Sequence, residues 1–123
     1  MNYTNMRSRP LFEISINGHV STNSGKEMIK NWRHVLERHF ASLHCSNERR
    51  KLSVILQFWI APDRIYRMQR NDLDNLSKPV LDAMKRTGVI HDDAEIFHLE
   101  STKFPTSGEE GVYIVIKELN RYS

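Results

Sequence analysis

The chain has 123 residues, 39% hydrophobic and 27% charged, with a formal net charge of +3. That balance fits one folded domain, residues 1–123, and excludes a disordered chain. The single cysteine, Cys45, excludes an internal disulfide framework and points to a reducing, cytoplasmic setting. No apolar run approaches the roughly 20 residues of a membrane span, and no signal-peptide core opens the chain, so membrane and secreted readings are set aside.

Charge is unevenly spread. Residues 1–71 carry 12 Lys/Arg against 5 Asp/Glu, and residues 72–123 carry 6 against 10. A basic half joined to an acidic half suits a polyanion partner together with a function that needs clustered carboxylates; two solvated faces are the plainer alternative.

In chain order, Met1 to Pro10 is polar and basic and reads as a loosely held arm. Phe12, Ile14 and Ile16 alternate with polar residues, which predicts a half-buried strand ending at Asn17-Gly18. Ser24 and Glu27 have capping-box spacing, and Met28, Ile29, Trp32, Val35, Leu36 and Phe40 follow at helical intervals. A helix is therefore expected from Ser24 until it fades near Leu43–Cys45, with Lys26, Lys30 and Arg33 on the face opposite the apolar stripe. After a charged turn, Leu52 to Ile60 is apolar on both faces, as an interior strand is. A basic loop runs from Pro62 to Asn71. A second helix is expected from about Leu73 to Thr87, with Gly88 as its C-cap; Pro79 calls for a tight first turn or a late start. The runs Glu95–Phe104 and Val112–Lys117 read as a hairpin. The order strand, helix, strand, helix, strand, strand predicts a small α/β domain, a mixed sheet flanked by helices.

Asp72 and Asp74 stand two apart at the mouth of the second helix, so both carboxylates point the same way while the chain is extended. Converging carboxylates repel unless a cation lies between them, and an oxygen-only set suits Mg²⁺ or Mn²⁺. Asp92 and Asp93 precede a strand, where neighbours point to opposite sides, so one of the two joins such a site. Spacing alone leaves the plainer reading open, in which these residues are helix caps and solvated turns. Lys78, four residues past Asp74, falls on the same helix face; it counters developing negative charge or forms a structural ion pair with Asp74 or Asp82.

The segment Asp72-Leu73-Asp74-Asn75-Leu76-x-Lys78-Pro79-x-Leu81-Asp82-Ala83-Met84, followed by Val89-Ile90-His91-Asp92-Asp93-Ala94-Glu95-Ile96, resembles the RusA family of Holliday junction resolvases. The family pattern is D-x-D-N-L-x-K-x-x-x-D-A-L, a short turn, D-D-x-x-I and a later Lys, here Lys103. The resemblance covers roughly residues 52–118. It implies a RusA-like fold, Asp72, Asp74 and Asp93 as ligands of Mg²⁺ (Mn²⁺ being the alternative ion), Asp92 as a further candidate ligand, and Lys78 as an essential cation. It also implies a homodimer with a sheet-built interface whose two sites nick opposed strands of a four-way junction, in recombination and repair. A two-fold dimer suits so nearly two-fold a substrate. In such chemistry a bound Mg²⁺ lowers the pKa of its water and polarises a phosphoryl oxygen. Asn75 and Asp82 stand behind the ligands. Family members often carry a Pro-rich basic segment after the first strand, and Gly18 to Gly25 replaces it here.

Arg64, Arg67 and Arg70 precede the acidic cluster and are expected, with Lys78 and Lys103, to grip DNA phosphates. His34, His39, His44 and Cys45 diverge on a helix and do not make a zinc site. Trp32 and Trp59 are expected in the core. The leading expectation is thus a Mg²⁺-dependent, structure-selective endonuclease. The alternatives are a dimeric module that holds junctions without cutting them, and a small phosphohydrolase with no nucleic-acid role.

Overall fold

The structure is a computed structural model that describes residues 6–22, 26–43, 49–67 and 72–121. Strand β1 (Met6–Asn17), helix α1 (Lys26–Phe40), strand β2 (Leu52–Ile60), short helix α2 (Pro62–Arg67), helix α3 (Leu73–Arg86), a 3-10 turn (Asp93–Glu95), strand β3 (Ile96–Pro105) and strand β4 (Gly111–Arg121) follow one another. The expected mixed α/β sheet is present, in the order β1-β4-β2-β3. The pairs β1–β4 and β4–β2 are antiparallel, and β2–β3 is parallel.

The expected hairpin of the last two strands does not form, because β2 lies between them. Burial explains the order. Leu52, Val54, Leu56, Phe58 and Ile60 of β2 and Val112, Ile114 and Ile116 of β4 are all at most 1% exposed, whereas β3 leaves Phe97 and Leu99 exposed. The two most apolar strands take the centre, and β3 takes an edge.

Strands β1, β2 and β3 run the same way and succeed one another across the sheet in one direction. Right-handed crossovers therefore place α1 and α3 on the same face. Ile29, Trp32, Leu36 and Phe40 of α1 and Leu76, Val80, Ala83 and Met84 of α3 close one core against that face. Among the described residues the other face carries no helix, so β2 is interior in the sheet but covered by helices on one side only. On that open face Trp59 is 38% exposed and stacks on Phe104 of β3, ring centroids 4.5 Å apart. Trp32 is a core residue as expected, and Trp59 is not.

Four boundaries differ from the sequence expectation. Strand β1 begins at Met6, within the expected arm, since β4 extends to pair with it and an edge strand tolerates Pro10 beside an irregularity in register. Helix α1 ends at Phe40, short of Leu43, and the expected cap at Ser24 and the stop at Cys45 lie outside the described residues. The basic loop opens with α2. Helix α3 starts at Leu73 as expected and continues through Pro79, but it ends at Arg86 with Thr87 as its C-cap, one residue before the expected Gly88. The proline ring is buried with the apolar stripe, and that packing offsets the hydrogen bond a proline cannot donate.

Candidate active site

Asp72 is the N-cap of α3. Its backbone is extended (φ −78°, ψ 162°), and its Oδ1 accepts from the Asn75 backbone N–H at 2.9 Å. One open groove of about 460 Å³ then follows α3, lined by Asp74, Asn75, Lys78, Asp82, Lys85 and Asp93 with Leu99 of β3. Asp74 and Lys78 are exposed at one end of it, four residues apart on one helix face. At the other end, Lys85 Nζ lies 3.2 Å from Asp93 Oδ2 and 3.8 Å from Asp82 Oδ1. The hydrogen bond and charge of Asp93, with the more distant Asp82 and Asp92, raise the Lys85 pKa above the usual lysine value.

Helix α3 is fixed on the sheet beneath this groove. Ser77, buried, donates its hydroxyl to Leu73 O at 2.6 Å and shares a hydrogen bond of 2.7 Å with Ser101 of β3. Leu99, Ser101 and Lys103 alternate along the same side of β3, which places half-buried Lys103 on the face that α3 covers.

Asp92 caps the 3-10 turn, accepting from Ala94 N at 3.2 Å. The loop is held by a residue that motif reading passed over. Glu95, 3% exposed, accepts backbone N–H bonds from His91 at 2.6 Å, Arg50 at 3.1 Å and Asp92 at 3.4 Å. Burial alone pushes its pKa up, but the three backbone donors together hold it below the usual carboxylate value. The Asp92-x-x-Glu95 spacing is a capping-box signal present in the sequence.

Of the three arginines expected to grip phosphates, Arg64 is the one whose side chain falls among the described residues. Arg64 pairs with Glu110 and donates to Val20 O at 2.7 Å, and Glu110 also accepts from Ala61 N at 2.9 Å. Its side chain is only 18% exposed, so Arg64 is a strut joining α2 to the loops after β1 and before β4, not an outward phosphate contact. Arg67 ends α2, and Arg70 lies outside the described residues.

The donor chemistry, oxygen ligands only, fits a hard divalent ion, and Asp74 and Asp93 line one groove. Asp72 and Asp93 lie toward opposite ends of a 14-residue helix, about 21 Å long. Among the described residues no three His, Cys, Asp or Glu side chains stand close enough to hold a metal.

The family model for endodeoxyribonuclease RusA matches residues 9–117. The chain is 38% identical over 58 residues to the crossover junction endodeoxyribonuclease RusA of Aquifex aeolicus (strain VF5), a match covering 47% of this chain and 43% of that relative. With Asp72, Asp74, Lys78 and Asp93 inside the matched span and a mixed four-stranded sheet beneath them, the chain belongs to the RusA endodeoxyribonuclease family.

Proposed function

We propose that this chain is a divalent-metal-dependent endonuclease that cuts four-way DNA junctions by paired nicks, as a homodimer with Mg²⁺ or Mn²⁺ as its ion. The observation that carries this reading is the groove along α3, in which Asp74, Lys78 and Asp93 of a RusA-family chain open to solvent together. The relative's name supplies the substrate class.

Each chain residue then has a task. Lys78, exposed beside Asp74, meets the negative charge that grows on a phosphodiester under attack. Asp74 and Asp93 supply hard oxygen donors. Asn75 holds Asp72 through its backbone N–H, and Asp82 shares Lys85 with Asp93.

A homodimer would set two such grooves against one nearly two-fold substrate. The open sheet face offers a place for the second copy. Ile55 and Val115 are register partners there, beside the stacked Trp59 and Phe104, an apolar patch bordered by Gln57, Glu100 and Lys117, and an apolar centre with a polar rim suits a two-fold contact.

The test uses a mobile four-way junction, its linear duplex, Mg²⁺ or Mn²⁺, and the Asp74→Asn and Lys78→Met variants. Paired nicks in the junction alone, lost without metal and reduced about 100-fold or more in both variants, support the enzyme. Tight junction binding without cutting would instead make the chain a holding module.

A further inference from the structure

Lys26, Lys30, Arg33 and Glu37 recur at i, i+4, i+7 and i+11, the spacing of one stripe along a helix. The last member fixes where that stripe faces. Glu37 pairs with Arg86 of α3 at 3.1 Å, so the row lies on the flank of α1 turned toward α3 and not, as the sequence suggested, opposite the core. Cations facing a neighbouring helix are ordinarily met by its acids, as Glu37 is met by Arg86. Here the open groove beside them is lined, among the described residues, by Lys26, Glu27, Ile29, Lys30 and Arg33, with Glu27 the one acid of that set. Lys26 and Lys30 are exposed and make no ion pair among the described residues.

Helices α1 and α3 follow parallel strands and pack on the same sheet face, so both start at the same edge of the sheet. The cationic row is therefore at the end of the molecule where Asp72, Asp74 and Lys78 lie. From Lys26 to Arg33 the helix rises about 10 Å, the axial span of roughly three nucleotides of one duplex strand.

We infer that the N-terminal half of α1 is a second DNA contact, in which Lys26, Lys30 and Arg33 bind the phosphates of a duplex arm whose scissile strand enters the α3 groove. The proposal rests on the nuclease reading for its substrate and assigns the cationic task that Arg64, held by Glu110, does not perform.

The experiment measures binding of the full chain to a four-way junction and to a plain duplex between 50 and 300 mM salt. It compares wild type, Lys26→Gln/Lys30→Gln, the same pair with Arg33→Gln, and Arg49→Gln, an exposed cation before β2 at the opposite end of the strands. Each lost phosphate contact lowers the slope of log K against log salt by about 0.9. The double variant, which changes only exposed side chains, is expected to lose about 1.8 of slope and to bind on the order of 10- to 100-fold more weakly at the lowest salt. An unchanged slope in the double variant, or an equal loss in Arg49→Gln, overturns the proposal. Absence of cutting by the wild type overturns the nuclease reading instead, and the duplex slopes still decide whether α1 binds DNA.

Discussion

Lys85 Nζ is 3.2 Å from Asp93 Oδ2, an ion pair that closes the last turn of α3 onto the turn before β3. The raised lysine pKa fixes the sign of its pH dependence. Stability from the pair is fully present below the unfolded lysine value of about 10.4 and is lost as pH rises through the higher folded value. Urea midpoints of wild type and Lys85→Met should differ by a constant amount from neutral pH up to about pH 10 and converge above it. Because the pair is solvent-exposed, 1 M salt should also shrink the difference. A gap that persists in strong base would assign the effect to the lysine stem.

Glu95 works in the opposite sense. Its folded pKa lies below the ordinary carboxylate value, so its contribution is present above an unfolded pKa of about 4.3 and fades as pH falls through the depressed value. In Glu95→Gln an amide N–H must face backbone N–H groups that now meet a carboxylate, at a cost of about 1–3 kcal/mol at neutral pH. The acid limb of the stability profile should flatten in this variant. Equal acid sensitivity of the two proteins would remove Glu95 from that role.

Arg64 is a strut, and this separates two measurements that a phosphate contact would move together. Arg64→Met should cost about 3 kcal/mol, the low end for breaking a buried pair, because both partners retain some solvent contact. The salt slope of DNA binding should stay as in wild type. A loss near 0.9 in slope would return Arg64 to the DNA surface.

Two glycines sit where a side chain meets very different neighbours. A Cβ on Gly111 would lie 2.4 Å from the backbone oxygen of Ile16, whereas on Gly18 it would meet the Trp32 ring at 2.8 Å. A strand carbonyl in the β1–β4 ladder cannot yield without breaking register. Gly111→Ala should therefore destabilise more than Gly18→Ala, for which overpacking of about 1–3 kcal/mol is expected. Denaturation midpoints rank the two, and the reverse order would show that the ladder is the more adaptable partner.

The elements with strong periodicity were legible from the residues: the apolar run of β2, the Ile29–Trp32–Leu36–Phe40 stripe of α1, and α3 with its Asp72 mouth. Strand order was not. Chain neighbours usually pair, and only the relative burial of β2, β3 and β4 reveals that β2 separates the last two. Arg64 read as a surface cation because nothing local announces Glu110, 46 residues away. Glu95 carried its signal in Asp92-x-x-Glu95, yet the neighbouring pair of aspartates drew the chemical reading past it. Spacing along α3 placed Asp74 and Lys78 together, while the distance from Asp72 to Asp93 became visible only once the helix stood between them.

The sheet order has a consequence for how the chain is made. The strand that joins β1 to β2 is β4, the last of the four to leave the ribosome. Until it arrives, β1 has no strand partner, and β2 can pair only with β3. The central apolar slot between them, lined by Leu56 and awaiting Ile114, stays open throughout synthesis. Such long-range closure is slow and leaves sticky edges exposed. A chain cut just before Gly111 would lose more than an edge: β1 would have no strand to pair with, and α1 would be left joined to the carboxylate-bearing half through its packing on α3 and the Glu37–Arg86 pair.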